Sequence, residues 1–436
     1  MKKLVVMLLC LLMLISIAGC GAGTSSAGST SAGEGNAASA EGKLVIWAWD
    51  QNLPSINYAA DMYKKAHADS KIEVVVQNVP DTVDKMSTFF ASGVGKDLPD
   101  MVLMDNIQIQ TFLQQFPDKF VNLSKMGFDQ YKDKFSKAHL ELLSHEGSLY
   151  AFPFDVAPMM LEVNTEIMKK ANVDPASLVT WDDFSNAAAA VNKAGYAMHV
   201  KFAENEVIGM MQSAGVGIFD SERNIDLLNP KVVEVIEKYM KLQSTNASDK
   251  VIEDGAKFGE EKVATMLKPA WSIGEDIPVQ KSLNGKVTLI PMPKIKNETG
   301  YTSSANNGGS SFFILESSKV KDAAYEIGKY ITTELESQKI ALSKGLMPGY
   351  LPSAELPEFT AGVEYFSGQP IWKLLSDSSA QTLPIYVNEY YSSAKETFKN
   401  TLIDAVKAGT DKSAKDLLKE TADAIAAQSG LKVKAY

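Results

Sequence analysis

The sequence predicts an α/β protein of two lobes, each a doubly wound sheet with flanking helices, with a cleft between them. Three observations carry that reading. At 436 residues the chain is longer than one hydrophobic core usually fills. From Leu44 onward, apolar runs of strand length alternate with stretches of helical period, the pattern of strands joined by crossover helices. A proline-broken extended run at 149–164 interrupts the alternation, which then starts again.

Composition removes several classes at the outset. The 45% apolar and 22% charged content is ordinary for a globular protein and excludes wholesale disorder, a collagen-like chain and a multi-span membrane protein. The formal charge is 43 − 53 = −10, or 41 − 53 = −12 without Lys2 and Lys3, which argues against nucleic acid as a partner. Arg223 is the sole arginine. Guanidinium is the side chain best suited to bidentate capture of carboxylate or phosphate, so its scarcity favours an uncharged ligand.

Lys2 and Lys3 precede a nearly unbroken apolar stretch, 4–18, and small residues lead into Cys20. This is the layout of a secretory signal over 1–19, its apolar part short for a transmembrane helix. Ile17-Ala18-Gly19-Cys20 resembles the bacterial lipobox. The resemblance implies that Cys20 becomes the first mature residue and carries a diacylglyceryl group, so that two acyl chains hold the protein at the extracytoplasmic face of the cell membrane. The alternative is an ordinary cleaved signal with an incidental cysteine. Cys10 would leave with the leader and no other cysteine remains, so the mature chain is expected to hold no disulfide, catalytic thiol or cysteine metal site. Residues 21–42 are almost entirely Gly, Ser, Ala and Thr and cannot bury enough apolar area to fold. The segment 20–42 therefore reads as a lipid anchor followed by a flexible tether reaching roughly 25 Å.

The body begins near Lys43. Residues 44–49 form a continuous apolar strand, Pro54 opens a helix to about Ala68, and 72–79 is strand-like again. A second helix over 82–92 is closed by Gly93 and Gly95, and 99–105 gives a third strand. Pro153 and Pro158 make 149–164 a poor helix and a poor central strand, but a reasonable crossing between lobes. A helix near 165–171 follows, then Thr180 and Asp183 form a capping box before an alanine-rich helix. A strand at 196–202, helices over 205–214 and 230–242, and a strand at 286–293 continue the second lobe. The Asn- and Gly-crowded start of 303–318 marks a second crossing. Irregular chain after Gly345 runs to Pro370, and two long helices, about 385–408 and 411–428, finish the protein. The lobes are expected over 43–153 plus about 305–350, and 154–304 plus about 351–436.

Four segments taken in order carry a family likeness: WAWD at 47–50, AFPFDVAPMMLEVN at 151–164 followed by a helix and TWDDF at 180–184, GGSSFFI at 308–314, and the helical tail. Together they resemble the extracellular solute-binding proteins of ABC importers, and within them the family-1, sugar-binding, maltose-binding-protein-like type. The likeness covers nearly all of 43–430. It implies a periplasmic-binding-protein-like fold of two lobes that close on a ligand held between them, with no chemical step, no cofactor and no metal. The implied ligand is a carbohydrate, an oligosaccharide, and the implied partners are the transmembrane subunits of an ABC permease. The protein is expected to be a monomer.

Candidate binding residues follow from what a sugar offers: hydroxyls, and apolar C–H faces. Recognition needs flat aromatic plates and acid or amide side chains that take vicinal hydroxyls. Trp47 and Trp49 share one face of the first strand; Trp49, at its end, is the better cleft wall and Trp47 the better core residue. Asp50, with Gln51 and Asn52, and Asp105 with Asn106 end strands where a doubly wound sheet exposes its binding loops, although helix capping is an equal use for each. Phe154 and Asp155 lie in the first crossing. Trp271 stands between a proline and a helix, where the resemblance implies an aromatic platform and the plain alternative is a structural tryptophan. Asn306, Asn307, Gly308 and Gly309 open the return strand, where bare backbone can approach a ligand or simply turn. The resemblance implies a second stacking ring at Tyr390 or Tyr391, with Tyr390 the candidate retained. Tyr350 and Glu204 are weaker candidates.

Catalytic patterns fare poorly. Ala270-Trp271-Ser272-Ile273-Gly274 approximates a nucleophile elbow, but that fold needs a histidine downstream of the serine. His67, His139, His145 and His199 all lie upstream. No GxxxxGK[ST], HExxH or GxGxxG occurs, and 220–226 lacks the glycine of an EF-hand. With 53 acidic residues a glycosidase pair remains available, so a secreted glycan-active enzyme stays as an alternative, as does the same fold holding a peptide, polyamine or anion.

Overall fold

Strand β1 (Glu41–Ala48) starts two residues before the expected Lys43 and shows one-sided burial: Leu44, Ile46 and Ala48 are fully buried, while Val45 and Trp47 are not. The computed structural model describes residues 41–93, 98–244 and 250–436. The signal at 1–19, Cys20, nearly all of the tether and Gly95 lie outside the described residues. Helix α1 (Leu53–Ala66) carries Pro54 in its first turn, where the missing N–H has no intrahelical use. After β2 (Lys71–Asn78), helix α2 (Thr82–Ser92) ends on Gly93 at φ 65°, the left-handed closure glycine favours. Then come β3 (Met101–Asp105), α3 (Asn106–Gln115), β4 (Ala151–Pro153), β5 (Asp155–Val156) and β6 (Met159–Asn164).

The first sheet has the order β2–β1–β3–β9–β4, where β9 is the return strand Ser310–Ile314. Strand β1 pairs parallel with β2 and β3, and β9 enters antiparallel between β3 and β4. Phe90, Phe112, Phe120 and Phe313 fill the core beneath it.

The second lobe contains α4 (Trp181–Lys193), α5 (Glu204–Ser213), α6 (Pro230–Ser244), β7 (Thr265–Pro269), α7 (Ser272–Val279) and β8 (Val287–Pro291). The capping box at the start of α4 is present: Thr180 Oγ1 accepts from Asp183 N–H at 3.2 Å and Asp183 accepts from Thr180 N–H at 2.9 Å. The sheet order is β8–β6–β7 with both pairs antiparallel, where the alternation predicts parallel pairing. Among the described residues five α-helices lie between β6 and β7, so no single crossover helix fixes a parallel direction. The strand expected at 196–202 is reduced to parallel bridges at Ala197 and Val200, because His199 and Phe202 turn into the Trp181–Phe184 cluster.

Past β9, helices α8 (Lys321–Thr333) and α9 (Leu335–Ser343) pack on the first lobe, and β10 (Met347–Pro348) follows. Helices α10 (Ile371–Ser379), α11 (Tyr391–Phe398), α12 (Asp404–Lys407) and α13 (Ala414–Ser429) belong to the second. The long helix expected from 385 begins only at Tyr391 and passes through a π turn, Lys399–Ile403. No helix among the described residues is long and apolar enough to cross a membrane.

Three passes of chain join the lobes, and they lie side by side. Asp155 and Val156 of β5 pair with Pro348 and Met347 of β10, and Pro158 bridges Asn306.

Central strand β6 is covered on both faces: Met159, Leu161 and Val163 face one core, and Met160 the other. Glu162 is fully buried beside the Lys268–Asp276 ion pair, with neither carboxylate oxygen hydrogen-bonded. Burial pushes its pKa up to about 7, against the pull of Lys268 and with a smaller push from Asp276. The folded state holds that proton more tightly than the unfolded chain does. The stability Glu162 contributes is therefore whole below about pH 4.5 and lost as pH rises through about 7. Glu162→Gln should stabilise the protein at pH 8 by on the order of 1–3 kcal/mol and leave it nearly unchanged at pH 4, as read by urea unfolding at the two pH values.

Candidate functional site

Between the lobes lies a cavity of about 950 Å³, walled by strand ends of the first lobe, helices of the second, and the chain passes themselves. Trp49, Asp50, Asp105, Asp155, Trp271 and Asn306 all reach it, as does Gly308.

Trp49 follows β1 directly, and its indole N–H donates to Thr82 Oγ1 at 3.2 Å, which fixes the ring. Trp47 stays out of the cavity, bonded to Gln77 and covered by the Lys85 ammonium. Asp105 is the N-cap of α3: Oδ1 accepts from the N–H groups of Ile107 at 2.9 Å and Gln108 at 3.4 Å. Capping and cleft lining, offered by the sequence as alternatives, are thus both true of it. Asp155 is nearly fully buried on the cavity floor, where Oδ1 accepts from Ser310 N–H at 2.8 Å and from the Ser310 hydroxyl. Burial, with help from the neighbouring Asp105, moves its pKa up to about 6, against the hydrogen bonds from Ser310. Burial also raises the Asp105 pKa, against its two backbone N–H partners. In both residues Oδ2 has no hydrogen-bond partner among the described residues.

Trp271 is held by its own indole N–H, which donates to the Asn307 carbonyl at 3.1 Å. Gly308 and Gly309 pass directly beneath at φ 98° and 84°. A Cβ on Gly308 would stand 3.1 Å from Trp271 Nε1, and one on Gly309 only 2.7 Å from the Asp155 carbonyl, so only glycine fits the approach.

Four expectations need correction. Phe154 is fully buried against Phe312 in the first core, since the strand alternation that sends Asp155 to the cavity sends its neighbour away. Asn106 is buried behind the wall, accepting from the Ser311 hydroxyl at 2.6 Å and meeting His139 Nε2 at 3.1 Å. Asn306 lines the cavity, but its amide is consumed by Ala157 N–H and the Gly308 carbonyl, so it shapes the pass rather than offering itself. At the tail it is Tyr391, not Tyr390, that reaches the cavity: Tyr390 caps α11 and packs against the second core. Tyr350 packs at a tilt against Phe135 in the first lobe, and Glu204 is absent from the wall.

The sequence reading missed Gln108, Asn205, Glu275, Ser392 and Lys395, all of which reach the cavity. A helical offset could have found two of them: Gln108 lies three residues after Asp105 and Glu275 four after Trp271, each one turn along the same face. Asn205 directly follows Glu204 and accepts from Lys395 Nζ at 2.8 Å. His139 and His199 are buried, which lowers their pKa to about 4 and about 3. Among the described residues no group of three His, Cys, Asp or Glu side chains is placed to hold a metal ion.

Comparison with known proteins places this architecture. The sequence profile of the bacterial extracellular solute-binding proteins matches residues 58–367. The chain is 28% identical over 405 residues to the lactose-binding protein of Rhizobium radiobacter, covering 87% of this chain and 94% of that one. It is likewise 28% identical over 435 residues to the arabinooligosaccharide-binding protein of Bacillus subtilis strain 168, covering 94% and 96%. In fold it is similar to the ABC transporter associated binding protein from B. animalis subsp. lactis Bl-04 in complex with beta-1,6-galactobiose, with a TM-score of 0.72 at 22% identity over 90% of this chain and 99% of that one. The galacto-N-biose-/lacto-N-biose I-binding protein of the ABC transporter from Bifidobacterium longum gives 0.71 at 16% identity over 92% and 100%. With its profile matched over 310 of 436 residues, and two lobes enclosing a cavity of ligand size, this chain belongs to the bacterial extracellular solute-binding proteins.

Proposed function

We propose that the protein is the substrate-binding lipoprotein of an ABC importer, which captures a carbohydrate, an oligosaccharide, between its lobes and delivers it intact to the permease. The observation that carries this reading is the pairing of surfaces in the cavity. Two fixed indoles, Trp49 and Trp271, supply faces for C–H stacking, and two carboxylates, Asp105 and Asp155, each have one oxygen tied to the chain and the other open. A tied carboxylate is already oriented, so it accepts a sugar hydroxyl without losing further rotamer freedom. The names of the two curated relatives, a lactose binder and an arabinooligosaccharide binder, support the same ligand class. Asp50, Asp105, Asp155 and Glu275 line the cavity with Lys395 as the one cation among the described residues, which disfavours an anion.

The mechanism is hinge closure. The lobes are 43–153 with about 305–350, and 154–304 with about 351–436, turning on the three adjacent passes. Cys20, acylated after removal of 1–19, anchors the protein, and the tether lets a monomer present its ligand to the transmembrane subunits. No chemical step is involved; the deeply buried, neutral His139 and His199 are poor catalysts.

Calorimetric titration with lactose, arabinotriose and β-1,6-galactobiose should give at least one Kd of about 1 μM or tighter, about −8 kcal/mol, with the sugar recovered unchanged by chromatography. Cleavage products would overturn the receptor reading, and silence with all three sugars the carbohydrate reading. Trp271→Ala should weaken that binding by about 1–3 kcal/mol while the melting temperature of the empty protein holds.

Affinity should also depend on pH. Protonation of Asp155 removes an acceptor, so Kd should rise as pH falls through about 6. Asp155→Asn should bind more weakly at pH 7.5 and show a flatter profile between pH 7.5 and 5.

A further inference from the structure

Three hydrogen bonds run from glutamines of the first lobe to the second: Gln51 Nε2 to Glu275 Oε1 at 3.1 Å, Gln108 Nε2 to Ser392 Oγ at 3.2 Å, and Gln115 Nε2 to the Glu389 carbonyl at 3.2 Å. The first two pairs line the cavity, so a ligand meets them directly. The third does not. Gln115 ends α3, seven residues beyond Gln108, and its partner sits in the turn that leads into α11.

That turn is held from behind. Asn388 is buried, and its side chain accepts from Tyr390 N–H at 2.9 Å. The Glu389 carboxylate pairs with the guanidinium of Arg223. Arg223 is presented at φ 67°, a left-handed conformation uncommon outside glycine, on a turn whose Asp220 Oδ1 accepts from Glu222 N–H at 3.0 Å and Asn224 N–H at 2.8 Å. Lys434 Nζ donates to the same aspartate at 2.9 Å. The only arginine of the chain is thus spent on a scaffold and does not line the cavity. Four residues in a row then serve the two lobes: Glu389 reaches α3, Tyr390 packs on the second core, Tyr391 faces the cavity and Ser392 reaches α3 again.

We infer that Arg223, Glu389 and Gln115 form a closure seam outside the ligand cavity, which holds the lobes together and seats Tyr391 against the bound molecule. The inference rests on the cleft reading above. Arg223 and Glu389 are positioning residues, and the bond by which this seam crosses between the lobes is the one from Gln115. A single hydrogen bond of this kind is worth about 0.5–1.5 kcal/mol net, so its loss should shift the closed fraction by about 2- to 10-fold.

Single-molecule energy transfer on the full chain tests this, with Cys10 and Cys20 replaced by Ser and dyes on Lys64→Cys in α1 and Lys419→Cys in α13. Without sugar, Gln115→Ala and Arg223→Ala should each deplete the closed population by about 2- to 10-fold, with melting temperatures unchanged because these contacts are exposed. Glu389→Gln should match Arg223→Ala, and the double variant should lose no more than either alone. With lactose or arabinotriose added, the same variants should release the sugar faster. Ligand-free distributions of Gln115→Ala that superimpose on wild type would overturn the seam, as would a wild type with no closed population. Failure of the carbohydrate reading looks different: wild-type distributions would ignore every sugar while the variants still differ from wild type without it.

Discussion

The structure depends on how closely three passes of chain approach one another between the lobes. Gly309 lies so near the Asp155 carbonyl that no side chain fits, and Ser310 donates both its N–H and its hydroxyl to the Asp155 carboxylate. A carboxylate buried at the junction would be costly unless bonded. Here its partners come from the pass beside it, so the acid that faces the cavity also ties the first crossing to the second. β10 completes the ribbon by pairing with β5. The lobes are thereby joined through a hydrogen-bonded strip, and the residues on either side pack into cores of their own.

The same economy appears in the wall. Trp49, Trp271, Asp105 and Asp155 each use one polar atom to fix themselves to the chain, and expose what is left. Rings and acids held in this way do not need to be ordered by the ligand, which lowers the entropy cost of capture. Burial raises the pKa of both aspartates, so the wall that orients them also makes their charge costlier to hold.

Much of the first lobe was legible because β1, β2 and β3 are short, uninterrupted and separated by single helices, so period and punctuation agree. The ends of those strands are where a doubly wound sheet exposes its loops, and Trp49, Asp50 and Asp105 line the cavity there. Parity decided the rest. Phe154 and Asp155 are consecutive in extended chain and cannot both face one side. Tyr390 and Tyr391 stand about 100° apart where a helix begins; both pack with the second core, and only Tyr391 also reaches the cavity, a choice the local sequence does not encode. The antiparallel second sheet was illegible for another reason: its partners are far apart in sequence, and pairing at that separation leaves no local signal. Long-range hydrogen bonding likewise decides that Asn106 is structural and that Asn306, at the wall with Asn205, is tied to the first pass.

Composition proved informative in a way that a count alone would mislead. Lysines are abundant, yet among the described residues only Lys395 reaches the cavity, and it is bonded to Asn205. Arg223 is committed to Glu389 at the outer edge of the interface. A negatively charged guest would therefore meet four carboxylates and one occupied ammonium, and like charges repel. A neutral polyol meets the same wall as a set of acceptors already in place. Under the proposed function, poor capture of anions and capture of hydroxyls would follow from one property, where the chain spends its cations.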